Sequence, residues 1–250
     1  MEQNRKENQM IRRQVSKAWF LTSKEFAVLA HARGFKSLFG FDFENLSGMK
    51  REEMYEVLYK MAAKGILKSD GTSFGVEEPY RSLMDHIASA AWAVLVYSAD
   101  EERPDLCCYE EKNHYIVTEI SMVQRGSLKV YRIEKENMLA FLEEGDYLPM
   151  EQEDECRNLL EENMQQDLFE PVAKVLEKDG MKCAIEVYDL RLKQESHPLI
   201  KQIRILEEGL FPVIWVQTRQ KSRKFTYERK ILAEEIRLKT GEELADHDIS

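Results

Sequence analysis

The stretch PYRSLMDHIASAAW (79–92) opens a pattern that returns, in kind, at PVAKVLEKDG (171–180). In the first, Leu83, Ile87 and Ala91 stand four apart, as one face of a helix requires. Leu106–Tyr109, Tyr115–Met122 and Leu128–Ile133 follow, short and rich in Tyr, Ile and Val, and read as strands. Gln124-Arg125-Gly126-Ser127 separates the last two as a hairpin loop. Lys135–Glu144 closes the unit as a helix with Met138, Leu139 and Leu142 on one stripe. In the second, Pro171 suits a first helical turn and Asp179-Gly180 a C-terminal stop. Cys183–Leu192, Leu199–Leu206 and Phe211–Thr218 read as strands. The chain from about Phe225 to Lys239 reads as a helix, with Ile231, Leu232, Glu235 and Leu238 spaced at three or four.

Consecutive hairpin-linked strands make an antiparallel sheet, which helices then cover. The expected class is α+β: a mainly antiparallel sheet with a quasi-two-fold internal repeat, an N-terminal winged-helix-like module and flanking helices. Helix–strands–helix is also a common α+β order, so the repeat has a plain alternative. One domain is expected over 16–240, with polar tails at 1–15 and 241–250. Within it lie the module 20–78, the units 79–144 and 171–239, and an acidic link 145–170. FPVIWV (211–216) is apolar on both alternating sets, which predicts a central strand buried on both faces. Phe211, Val213, Trp215, Ile120 and Ile185 are expected among the most buried residues.

The chain has 250 residues, 43% of them apolar, enough for a sizeable core. No run of about 18 apolar residues predicts a membrane span. The opening MEQNRKENQMIRRQ is polar and lacks the apolar centre of a secretory signal. Cys107, Cys108, Cys156 and Cys183 have no metal-ligand spacing. Neighbouring strand residues face opposite sides, so Cys107 and Cys108 are expected as small core residues, and the compartment as the reducing cytoplasm. The net charge is −10, unevenly spread. Residues 143–162 hold nine acids and one Arg, a solvated link or an electrostatic steering surface for a basic partner. Residues 217–231 hold six bases and one acid.

Toward the N-terminus, Thr22 or Ser23 can cap a helix running to about Arg33 with Phe26, Leu29 and Ala30 inward, and Gly34 ends it. Ser47 can cap a second helix through Lys64 with Met54, Leu58 and Met61 on one face. A small hairpin follows around Ser69-Asp70-Gly71-Thr72. Helix, helix, hairpin resembles a winged helix, so a transcriptional regulator with a C-terminal sensing domain is the alternative function. Its second helix argues against DNA: Lys50, Arg51, Lys60 and Lys64 interleave with Glu52, Glu53 and Glu56, leaving little to neutralise phosphates.

No nucleotide-binding, metalloprotease or nucleophile-elbow motif is present. His31, His86, His114, His197 and His247 are scattered singly, without metal-ligand spacing. The expectation is therefore a protein that is not an enzyme and takes no cofactor or metal.

LTSKEFAVLA (21–30), KGILKSDGTSF (64–74), Pro79 and the doubled antiparallel pattern together resemble the EspG-type chaperones of type VII (ESX) secretion systems. The resemblance spans about 20–240 and carries no invariant functional residue. It implies a cytosolic, non-enzymatic chaperone or adaptor that holds a helical secreted partner, with no role for nucleic acid or membrane. It places partner contact on the Met122–Leu128 hairpin, through Met122, Val123, Gln124, Arg125 and Leu128, and on the Phe225–Lys239 helix.

Overall fold

The computed structural model describes residues 15–35, 38–41, 49–120, 126–149, 169–191, 197–208 and 211–236. Their elements, in chain order, are β1 (Val15–Thr22), α1 (Ser23–Ala32), α2 (Arg51–Ala63), β2 (Leu67–Ser69), β3 (Phe74–Val76) and α3 (Tyr80–Ser89). Next come β4 (Trp92–Ser98), β5 (Leu106–Glu111), β6 (His114–Glu119), β7 (Ser127–Glu134) and α4 (Met138–Glu144), which a 3-10 turn introduces. The second half holds α5 (Val172–Leu176), β8 (Met181–Asp189), β9 (Leu199–Glu208), β10 (Phe211–Thr218), β11 (Ser222–Thr226) and α6 (Arg229–Ile236).

Nine strands form a single antiparallel sheet in the order β1-β7-β6-β5-β4-β8-β9-β10-β11, and β2-β3 form a separate hairpin. The architecture is α+β. Each half runs helix, four-stranded meander, helix, and the two meanders join where β4 pairs antiparallel with β8, Leu95 opposite Glu186.

Alternation along the strands divides the sheet between two cores. One face presents Val94, Cys108, Val117, Ile185, Ile203, Ile214 and Val216 to α4 and α6. The other presents Leu95, Cys107, Tyr109, Ile116, Leu128 and Val130 to α1, α2 and α3. A smaller cluster on that second face packs Val175 of α5 on Ala184 and Leu206. Cys107 and Cys108 thus lie on opposite faces, both fully buried. Gly180 follows α5 with φ +73°, and a Cβ there would meet the Glu207 carbonyl oxygen at 2.8 Å, so only glycine fits this turn.

Three strands differ from expectation. β1 runs from the end of the expected tail into the start of the 20–78 module, where no strand was expected: Trp19 and Leu21 fill one alternating set and are buried. β4 starts at Trp92, where the α3 helix was expected to be ending; Ala90 is already extended and α3 stops at Ser89. Its run from Trp92 to Val96 is buried on both faces, so it carries no period to read. β11 takes Phe225, expected as helical, and α6 begins four residues later.

The FPVIWV strand is therefore next to the edge, not central. Ile214 and Val216 are buried, while Val213 and Trp215 are only partly so. Ile185 is fully buried and Ile120 only partly. α2 starts at Arg51 with Lys50 at its N-cap and no side-chain cap, so Ser47 does not cap it as expected. The Phe211 side chain, Cys156, Leu238 and most of the acidic link lie outside the described residues.

Candidate partner-binding surface

The β6–β7 hairpin is held at both roots. On the β6 side, the Ile120 N–H donates to the Asp105 carbonyl at 2.7 Å. Tyr131 donates its hydroxyl to Glu119 Oε1 at 2.7 Å, and Lys129 approaches the same oxygen at 3.8 Å. Burial and the neighbouring Glu119 carboxylate push the Tyr131 hydroxyl well above its ordinary range, so it stays a donor. Burial likewise raises the Asp105 carboxyl, against the Ser98 backbone N–H that lowers it.

On the β7 side, Gly126 takes φ +81° and its carbonyl accepts the Ser23 N–H at 3.4 Å. Ser127 pairs with Thr22, the residue that caps α1. That cap is reciprocal: Glu25 N–H donates to Thr22 Oγ1 at 3.1 Å, and Thr22 N–H donates to Glu25 Oε2 at 2.8 Å. Glu25 is 3% exposed and also accepts Lys64 Nζ at 2.6 Å, which ties the end of α2 to the start of α1.

Met122, Val123, Gln124 and Arg125 lie outside the described residues. Leu128 is 1% exposed: strand alternation turns it, with Val130, toward the helices, so it packs in the core and presents no surface to a partner. Beside the hairpin exit, β1 instead exposes Phe20, which pairs with Lys129. The sequence signal for Phe20 was the both-sided apolar run Ala18 to Leu21, which one buried face cannot absorb.

A cleft of about 380 Å³ opens next to Gly126, between the start of α1 and α2. Its wall is charged but neutralised by pairing: Lys24 with Glu53, Lys60 with Glu56 and Lys64 with Glu25. A second cleft, of about 320 Å³, lies between α4 and α6, with Tyr115, Met138, Leu139, Ala233 and Ile236 as its apolar floor. Lys135 and Glu110, paired with each other, stand at its rim. The two clefts lie toward opposite ends of β6 and β7, so the hairpin root and this face of the last helix are not one contiguous patch.

The titratable side chains form pairs. His86 lies 3.3 Å from Glu111, and His114 lies 2.9 Å from Glu134 while its Nδ1 accepts from Arg132 at 3.2 Å. Among the described residues no group of three His, Cys, Asp or Glu side chains could hold a metal ion. Among them too, no helix is long and apolar enough to cross a membrane.

The fold belongs to the class of large single-sheet antiparallel α+β structures with helices on both faces. Within that class, the chain resembles the solved structure of the Mycobacterium tuberculosis type VII secretion system chaperone EspG5 in complex with a PE25-PPE41 dimer. The TM-score is 0.52 at 8% identity, over 88% of this chain and 94% of that one. No family model matches the sequence, and no curated protein matches it.

Proposed function

We propose that the protein is a non-enzymatic, protein-binding chaperone or adaptor that holds a helical secreted partner in the cytosol before export. The observation that carries this reading is the likeness of fold, nearly end to end in both chains, to a chaperone solved with a PE25-PPE41 dimer. The matched order of elements in the two halves is read, with it, as a quasi-two-fold duplication.

Contact is assigned to the Met122–Arg125 tip. Its roots are hydrogen-bonded to Asp105, just before β5, and to the start of α1, which limits the entropy lost when a partner docks. Met122 and Val123 supply adaptable apolar contact, and Arg125 a charge at the rim that acts on association rate. The last helix, assigned to the same contact from the sequence, lines the α4–α6 cleft at the other end of β6 and β7 and is left out of this site.

The test is co-purification from native lysate with identification of the partner, followed by calorimetry. Val123→Asp should weaken binding at least about tenfold without changing the melting temperature, because a loop-tip residue supports little core. Arg125→Glu should slow association more than it speeds dissociation. Unchanged affinity for Val123→Asp places the site elsewhere. Recovery of duplex DNA with sub-micromolar, salt-sensitive affinity supports instead the winged-helix regulator, for which α1, α2 and the β2–β3 hairpin are the matching parts. The paired bases of α2 weigh against it.

A further inference from the structure

The two ends of the sheet are built differently. β11 is five residues long and carries Arg223 and Lys224, the usual short, charged form of a protected edge. β1 is eight residues long, and among the described residues no strand pairs with its outer edge. It presents Phe20 at 69% exposure, on the face turned away from α1.

On its other face β1 gathers donors without acceptors. Lys17 is exposed, its ammonium 5.2 Å from the Trp19 ring centroid. Arg132 of β7 stands directly opposite Lys17. Its Nη2 reaches a histidine nitrogen rather than a carboxylate, and its Nε is buried with no hydrogen-bond partner. Trp19 is 6% exposed, and its indole N–H also lacks an acceptor. Of the carboxylates nearby, Glu134 lies against His114 and Glu111 against His86, with Glu111 Oε2 buried without a donor. The exposed Lys17 and the half-buried Arg132 thus form a cationic patch in a chain of net charge −10, complementary to an acidic partner.

We propose that the outer edge of β1, which no described strand pairs with, receives an extended acidic segment of a partner protein as a further strand. Carboxylates of that segment meet Lys17 and Arg132, and an apolar side chain covers Phe20. The alternation follows from strand geometry: successive residues of the added strand face opposite sides, so the segment reads acidic and apolar in turn. Main-chain hydrogen bonds supply affinity and the alternate side chains specificity. A second copy of this chain is the poorer occupant, because β1 offers Lys17, Trp19 and Leu21 on the donor face, and none is an acidic acceptor. This proposal stands independently of the chaperone reading.

The experiment uses the full chain and a fluorescein-labelled eight-residue peptide alternating valine and glutamate, read by anisotropy and by hydrogen exchange. Two controls have the same length: valine alternating with lysine, and four glutamates followed by four valines. The alternating acidic peptide should bind and slow exchange of the β1 amides, and both controls should bind at least about tenfold more weakly. Lys17→Glu should weaken binding about tenfold and Phe20→Ser about fivefold, from the reversed charge pair and the lost apolar contact. Both side chains are exposed, and unchanged melting curves verify the fold. Absence of binding at about 1 mM peptide overturns the proposal, since that is the weakest affinity worth about 4 kcal/mol. So does equal binding of a control, indifference to Lys17→Glu, or sedimentation showing the edge closed by a second copy.

Discussion

Replacing Glu25 by alanine probes how the start of α1 is held against α2 and the hairpin. Glu25 accepts the Thr22 N–H and the Lys64 ammonium, and is almost completely buried. Loss of half a capping box costs about 1 kcal/mol. The ion pair with Lys64 adds about another 0.5 kcal/mol, discounted because Lys64 is half exposed and rehydrates. A total of about 1.5 kcal/mol lowers the melting temperature by about 3–6 °C in a chain of this length. Glu25→Gln keeps an acceptor for Thr22 and should lose only about half as much. Because the cap is reciprocal, Thr22→Ala with Glu25→Ala should fall short of additivity by about 0.5–1 kcal/mol. Chemical denaturation of the four variants measures this. A Glu25→Ala effect below about 0.5 kcal/mol, or strict additivity, would refute the reciprocal cap.

Burial pushes the Cys107 and Cys183 thiols up to about 12 and Cys108 well above its ordinary value. In a Cys156→Ser background no thiol should react with a disulfide reagent in the native state at about pH 8, and labelling within minutes contradicts this. Ile185→Ala should cost about 3 kcal/mol, and Trp215→Ala less than the 3–5 kcal/mol expected of a fully buried Trp, because Trp215 is partly exposed; the reverse order would mean that β10 is more central than its place in the sheet. The hydrogen bond from Lys178 holds the Glu170 carboxyl below its usual value. Its folded value is depressed, so its stabilisation is present above the unfolded value near 4.5 and is lost as pH falls through the folded one. The difference in urea midpoint between the parent and Glu170→Gln should shrink from about pH 6 to about pH 3, and a constant difference argues against the contact.

Much of the fold was legible because it rests on local pattern. Thr22 capping α1, Phe26, Leu29 and Ala30 facing inward, the end of α2 near Lys64, the Asp70 turn and the α4 stripe are all set by residues within one or two turns of each other. Cys107 and Cys108 on opposite faces follow from strand pleat alone. What the pattern left unread were β1, β4 and β11. β4 has no period because both of its faces are buried. β1 gains its burial from β7, more than a hundred residues away, and β11 gains its place only by pairing with β10.

The candidate surface divides in the same way. The hairpin was readable from Gly126 between two strand segments. That Leu128 belongs to the core, and that Phe20 beside it does not, depends on which face α1 and α2 cover.

By itself the sequence determined the class of fold, the antiparallel pairing of neighbouring strands and most helix boundaries, since capping, turn and pleat chemistry act over a few residues. Only the tertiary structure decided which strands are central, which lie at the ends of the sheet and which apolar residues of the described chain remain at the surface. Those outcomes depend on contacts between segments distant in the chain, and no local period encodes them.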